Sequence, residues 1–135
     1  MTPHSEAARS RRESRERAVE LAYEANARGL SVDELLATLV LPAPPFTVEL
    51  LRQAEQRRDQ VDELIEATAS GWTIPRMPVM DLLIMRLAVA ELLEGKTPKG
   101  VVLAEAVELA GRYSTEESSR FVNGVLAAIA ADLER

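Results

Sequence analysis

The stretch Val79–Leu93 constrains the fold more than any other part of this sequence. Its residues are almost all apolar, with Asp81, Arg86 and Glu91 as the charged exceptions. A helix that is apolar on nearly every side has to be buried, so we expect this helix to lie at the centre of the domain. An unpaired buried charge costs several kcal/mol, and Arg86 is therefore expected to pair with a carboxylate such as Glu91 or Glu105.

Composition favours a single all-α domain. Of the 135 residues 47% are apolar but only 4% are aromatic, which indicates one aliphatic core built from helices. We predict a bundle of two small packed helical subdomains, with about six to seven helices in all. Their seam is expected near residues 41–46, where Pro42, Pro44 and Pro45 form a stiff connector.

Signals for helix starts and ends mark the other elements. Ser5 can cap a first helix from about Glu6 to Ala27, which Gly29 closes and which follows a disordered tail of about residues 1–4. The same signals predict three more helices. A short one begins at a capping box of Ser31 with Glu34 and ends near Val40. The others cover about residues 48–69, capped by Thr47 and closed by Gly71, and about residues 101–111.

The stretch Ser114–Leu126 predicts the last helix. Ser114 and Glu117 are spaced as in a capping box, in which each side chain bonds the backbone amide of the other residue. The helix is expected to run to about Leu133, because one apolar stripe continues through it, formed by Phe121, Val122, Val125, Leu126 and Ile129.

Gly124 is an unusual residue inside that helix. A glycine there costs about 1 kcal/mol relative to alanine. We therefore expect another backbone to pass too close for a side chain, and we expect Asn123 to bond that backbone.

Charge is unevenly distributed along the chain. The net charge of −6 argues against a general polyanion binder, yet five arginines lie within nine residues, namely Arg9, Arg11, Arg12, Arg15 and Arg17. Of these, Arg11, Arg12 and Arg15 share one side of the first helix and could hold a phosphate backbone. The alternative is a solvated face on which arginines pair with glutamates.

Catalytic patterns are missing from the sequence. The only histidine is His4, in the expected tail, so no nucleophile has an oriented base beside it. Cysteine is absent, and neither a phosphate-binding glycine loop nor a metal-ligand spacing occurs. We predict a protein that is not an enzyme and that has no cofactor or metal. Without a signal peptide or an apolar run of about 18–20 residues, it is expected to be cytoplasmic and to have no membrane partner.

Three ordered runs, L-A-V-A-E-L-L, A-E-A-V-E-L-A and F-V-N-G-V-L, closely resemble the NusB family of bacterial transcription antitermination factors. The resemblance extends from the arginine-rich start through Trp72 and Arg76 to the carboxyl end. It implies an RNA-binding factor that binds boxA-type single-stranded RNA together with the ribosomal protein NusE. Such a factor suppresses termination, including in rRNA transcription, as part of an RNA polymerase antitermination complex.

The resemblance also implies where these partners bind. A partner-binding face would include Met77 and Asp81. The RNA site would join the first helix to the start of the last one, through Arg11, Arg12, Arg15, Tyr113, Glu117, Arg120 and Phe121. For Phe121, core packing is the alternative to base stacking, and Trp72 is expected to be a buried structural residue.

This sequence departs from the family pattern at Gln53, Leu82 and Ala104. Together with the acidic net charge, those departures keep a second function open, a helical protein–protein scaffold or self-associating domain that has lost specific RNA binding. The sequence does not distinguish a monomer from a homodimer.

Overall fold

The computed structural model describes residues 3–134, apart from the side chains of residues 3–5 and 8. Within this range the chain forms helices and no strand, which confirms the predicted all-α class. The elements are α1 (Pro3–Arg28), α2 (Val32–Thr38), α3 (Pro45–Gln56), α4 (Arg58–Thr68), a 3₁₀ turn (Ile74–Arg76), α5 (Val79–Glu94), α6 (Lys99–Tyr113) and α7 (Glu116–Leu133).

Helix α5 is the centre of the domain, as its apolar sequence predicts. Residues 81–85 and 87–92 are all buried, and the helix contacts α1, α3, α4, α6 and α7. Gly95 ends it in the left-handed conformation, with φ 72°. All the other α-helices except the short α2 therefore pack against the apolar surface of α5.

The prediction for the partner of Arg86 was wrong. Its guanidinium binds both carboxylate oxygens of Asp62 on α4, each at 2.8 Å. The two expected partners are not available, because Glu91 binds Arg15 and Glu105 binds Arg12.

Helix α1 begins earlier than predicted. It starts at Pro3 rather than near Glu6, and proline suits the first helical position because its missing N–H would have no partner there. Residues 1 and 2 of the expected tail, and the side chain of His4, lie outside the described residues. At the other end Gly29 follows the helix with φ 66°, as predicted.

The single helix predicted over residues 48–69 is two helices. The break falls at Arg57, whose φ of −102° and ψ of 14° depart from helical values. Thr47 is not the cap, because Pro44 precedes the helix and Pro45 occupies its first turn. Thr47 is instead fully buried and donates a 2.7 Å hydrogen bond to the carbonyl of Ser14 on α1.

The capping box predicted at Ser114 was also wrong, whereas the box of Ser31 with Glu34 is present. Thr115 caps α7 and accepts a 3.0 Å hydrogen bond from the amide of Ser118. Because α7 starts one residue later than predicted, Ser118 and not Glu117 occupies its third position.

No backbone passes close to Gly124, and the glycine that another element approaches is Gly111, where the neighbour is a side chain. Gly124 is exposed and a Cβ built on it would meet nothing within 4 Å, so the prediction for that residue was wrong. A Cβ on Gly111 would lie 2.9 Å from the hydroxyl oxygen of Ser119, where α6 and α7 pack together. Asn123 is exposed, and no side-chain hydrogen bond from it is found within the described chain.

Candidate nucleic-acid interface

Three polar contacts join α1 to α6, and we name them the α1–α6 edge: Arg12 with Glu105, Glu16 with Arg112, and Glu20 with Tyr113. Since their order is the same along both helices, α1 and α6 run in the same direction. The arginines of α1 therefore lie towards the end of the edge that is formed by the first half of α6. The other end of the edge is at Tyr113, and α7 starts three residues after it.

Arg12 is one of the exposed charged groups of the α1–α6 edge. Its Nε and Nη2 atoms donate to the Glu105 carboxylate over 3.0–3.3 Å, and this bonding raises the pKa of the guanidinium. The side chain of Arg12 is 49% exposed, while that of Glu105 is 14% exposed. Because Glu105 occupies the Nε side of the guanidinium, Nη1 is left to bind a further anion.

Arg15 lies in the interior. Its side chain is 7% exposed, and its Nε and Nη2 atoms donate to Glu91 on α5 at 3.1 and 2.5 Å. The guanidinium carbon lies 5.2 Å from the ring centroid of Phe46. The structure thus places Arg15 among core groups, away from any surface that RNA could reach.

The remaining arginines of this part of α1 are exposed. Arg11 lies with its guanidinium carbon 5.8 Å from the Phe46 ring centroid, and Arg17 pairs with Glu20 at 3.4 Å. Within the described chain, neither Arg9 nor Arg11 forms an ion pair. These two side chains therefore provide cationic charge that no described carboxylate neutralises through an ion pair.

Tyr113 closes the far end of the α1–α6 edge. Its hydroxyl donates to Glu20 at 3.0 Å. Partial burial, and then this hydrogen bond, raise the pKa of the phenol. Tyr113 is thus held by α1 through its polar end, and its ring is partly buried.

The start of α7 carries an aromatic pair that sequence reasoning missed. The ring of Phe121 lies 5.7 Å from that of Trp72, centroid to centroid, at an angle of 58°. Trp72 is 45% exposed, which contradicts its predicted burial. The available signal was its position between Gly71 and Pro75, because such glycine- and proline-flanked connections run over the protein surface.

The predicted junction between α1 and the start of α7 is not formed by direct contacts. Glu117 and Arg120 are exposed, and Arg120 lies 3.6 Å from Glu116 of its own helix. No hydrogen bond or ion pair in the described chain joins Arg11 or Arg12 to the start of α7. Tyr113 binds Glu20, and Glu20 lies about 12 Å from Arg12 along the axis of α1. Arg12 and Tyr113 are therefore at separate positions along the α1–α6 edge.

The predicted partner-binding residues are both buried. Met77 is 5% exposed and Asp81 is 2% exposed. Asp81 lies in the first turn of α5, where the helix dipole favours a carboxylate, and its Oδ1 atom is buried without a hydrogen-bond partner. The exposed apolar residue beside them is Val79, at 47%.

Neither a metal-binding cluster nor a membrane-spanning helix is found in the described part of the chain. No group of three or more His, Cys, Asp or Glu side chains there could hold a metal ion. None of the described helices is long and apolar enough to cross a membrane. Exposed arginines along one helix, and an aromatic pair in which Trp72 is exposed and Phe121 partly buried, are features that nucleic-acid-binding surfaces use.

Comparisons with known proteins agree on one family. The model of the NusB family matches residues 12–131. The transcription antitermination protein NusB of Thermobifida fusca (strain YX) is 46% identical over 122 residues, which cover 87% of this chain and 86% of the relative. That of Acidothermus cellulolyticus is 44% identical over 128 residues, with 91% and 88% covered.

Solved structures show the same likeness. T. maritima NusB superposes with a TM-score of 0.80 at 31% identity, covering 90% of this chain and 91% of the other. A chain from a crystal structure of antitermination factors NusB and NusE in complex with dsRNA gives 0.79 at 29% identity, covering 92% and 98%. The chain belongs to the NusB family, whose members are transcription antitermination factors and not enzymes.

Proposed function

We propose that this antitermination factor binds RNA together with a NusE-type ribosomal protein. Family membership supports the process, and the related structure that contains NusB, NusE and dsRNA supports the partners. In this chain one observation carries the proposal. Among the residues that the structure describes, Arg9 and Arg11 are exposed and have no carboxylate partner, and they lie next to the half-exposed Arg12. Their guanidinium groups supply the positive charge that phosphates require, although the protein as a whole is acidic.

The proposed RNA is single-stranded and of the boxA type, as in rRNA transcription. Single strands are recognised by stacking unpaired bases on aromatic side chains, while arginines hold the phosphates. Trp72 and Phe121 offer such a stacking surface, because one ring is 45% exposed and the other is only partly buried. A duplex has no free bases to stack, so it would use the arginines alone.

The proposed NusE-binding face is the exposed rim at the start of α5. Met77 and Asp81 form its buried floor, and Val79 presents apolar surface to solvent. Val79→Glu should therefore weaken NusE binding. Val101→Glu on α6 is the matched control, because Val101 is 44% exposed and lies outside this face. Equal loss of NusE binding in both variants would remove this face from the proposal.

Fluorescence anisotropy tests the RNA site. A boxA-like RNA, a scrambled RNA and an RNA duplex would each be titrated with wild type, with Arg11→Ala and with Phe121→Ala. Each titration is done with and without NusE. We expect wild type with NusE to prefer the boxA-like strand, Arg11→Ala to weaken binding of all three RNAs, and Phe121→Ala to weaken the two single strands.

The scaffold alternative makes the opposite prediction. If wild type with NusE shows no preference among the three RNAs and binds all of them weakly, the RNA-binding proposal fails. The part in termination is tested with RNA polymerase, NusE and a template carrying a boxA element before a terminator. Wild type should increase read-through, and Arg11→Ala should increase it less.

A further inference from the structure

The pairing of Arg12 with Glu105 partly cancels the charge that α1 offers to RNA. Glu105 comes from α6, 93 residues further along the chain, and its side chain is only 14% exposed. It is thus a fixed carboxylate and not a flexible surface group. Arg12 is 49% exposed at the same contact, so a phosphate that approaches Arg12 also approaches Glu105.

Charge balance continues through this part of α1. Arg15 is neutralised by Glu91 and Arg17 by Glu20. Of the arginines between residues 9 and 17, Arg9 and Arg11 thus remain without a carboxylate partner in the described chain. An arginine already paired with a carboxylate gains less from a phosphate and contributes less to the salt dependence of RNA binding.

We propose that Glu105 is an intramolecular competitor of RNA phosphate at Arg12. Glu105 holds the Nε side of the guanidinium and places a negative charge beside any phosphate on Nη1. Because phosphates carry no sequence information, this competition weakens every RNA by the same factor. The isolated protein then holds RNA loosely, and stable binding depends on base stacking and on the partner protein. The inference rests on the proposed RNA-binding function.

The α1–α6 edge does not depend on Glu105 alone. Glu16 with Arg112 and Glu20 with Tyr113 also join the two helices. A glutamine at position 105 keeps an oxygen that can accept from Arg12 while it removes the charge. Glu105→Gln therefore changes the charge at Arg12 with little change in packing, and thermal denaturation checks that the fold is retained.

RNA titration at several salt concentrations tests the competition. For Glu105→Gln we expect roughly twofold to fivefold tighter binding at low salt. The slope of log affinity against log salt should steepen by at most about 0.7, the value for one phosphate contact on a single strand. The gain should be the same factor for boxA-like and scrambled RNA. Glu63→Gln is the matched control, because it removes an exposed α4 carboxylate that has no ion pair in the described chain.

A double-mutant cycle assigns the effect to Arg12. In an Arg12→Ala background, Glu105→Gln should no longer tighten RNA binding, because the group that Glu105 competes for is gone. An unchanged affinity and slope for Glu105→Gln, with wild type binding RNA normally, would overturn the inference and leave the proposed function standing. If neither wild type nor Glu105→Gln binds any RNA even with NusE, the proposed function itself has failed. A gain equal to that of Glu63→Gln would show only a net-charge effect and would also overturn the inference.

Discussion

Arg12 and Arg15 stand three residues apart on α1 and make the same contact in two different environments. Each binds a glutamate through Nε and Nη2. The side chain of Arg12 is 49% exposed, whereas that of Arg15 is 7% exposed. The difference comes from the helix opposite, because α6 offers Glu105 at the surface and the central α5 offers Glu91 in the core. The same kind of ion pair is thus partly exposed at one position and buried in the core at the other.

Burial decides what each pair contributes. At the surface pair, Arg12 is half-exposed and Glu105 keeps part of its side chain in solvent. Losing this pair should therefore change the free energy of unfolding less than losing a fully buried pair. In the core, removing one partner leaves the other charge buried and uncompensated. The Phe46 ring adds to this at Arg15, since its centroid lies 5.2 Å from the guanidinium carbon.

The largest expected effect is therefore on stability at Arg15. Arg15→Ala should lower the free energy of unfolding by about 3–5 kcal/mol, because it leaves Glu91 buried without a partner. Arg12→Ala should change it far less. Urea denaturation of both variants measures the difference, and similar losses would refute the distinction between the two arginines. Replacing the pair together, as Arg15→Met with Glu91→Leu, should recover much of the lost stability.

The next effect separates phosphate contacts on α1 from base contacts elsewhere. Phe121→Ala should weaken binding of single-stranded RNA by about 1–3 kcal/mol if a base stacks there. Trp72→Ala removes the other ring of the pair and should cause a loss of similar kind. Anisotropy titration gives the affinities, and circular dichroism checks the helices. If Phe121→Ala lowers stability but neither variant changes RNA affinity, the aromatic pair only packs.

A smaller effect distinguishes paired from unpaired arginines. Arg11→Ala should flatten the salt dependence of RNA binding by about 0.7, because a single-strand phosphate loses a full cationic partner. Arg12→Ala should flatten it less, since Glu105 already neutralises part of that charge. Titrations at three or more salt concentrations give the slopes. A larger change for Arg12→Ala than for Arg11→Ala would contradict the assignment of Arg12 as the weakened contact.

Local patterns predicted the helices well but could not predict which charges meet. The run of α5 is apolar on nearly every side and has to be buried, so its central position followed from the sequence. Arg12 and Arg15 have similar local surroundings, but their partners lie 93 and 76 residues away. The same limit applies to Arg86, because its partner Asp62 depends on how α4 packs against α5. For the same reason the sequence did not reveal that Arg15, one of the residues predicted for the RNA site, lies in the core.

The glycines and the helix ends show a second limit. A glycine inside a helix indicates a close contact only if that face meets another element. Gly124 faces solvent, whereas Gly111 lies against Ser119, and helical periodicity alone does not distinguish them. The sequence around Thr47 likewise predicts a helix cap. Pro44 and Pro45 start the helix instead, and Thr47 donates its hydrogen bond to the backbone of α1.

The smallest expected effect concerns Tyr113, whose bond to Glu20 is another contact of the α1–α6 edge. Removing this bond tests whether it, like the pair of Arg12 with Glu105, contributes little to stability. Partial burial and the bond to Glu20 raise the pKa of its phenol above the ordinary value of 10.0, so the folded state holds that proton more tightly than the unfolded state does. This contribution is fully present below the unfolded pKa and is lost as the pH rises through the folded one. Tyr113→Phe should lower stability at neutral pH by less than about 1 kcal/mol, because the bond is partly exposed. Above about pH 10 the difference from wild type should shrink. Urea denaturation of both proteins from pH 7 upward measures it, and a difference that grows above pH 10 would contradict the raised pKa.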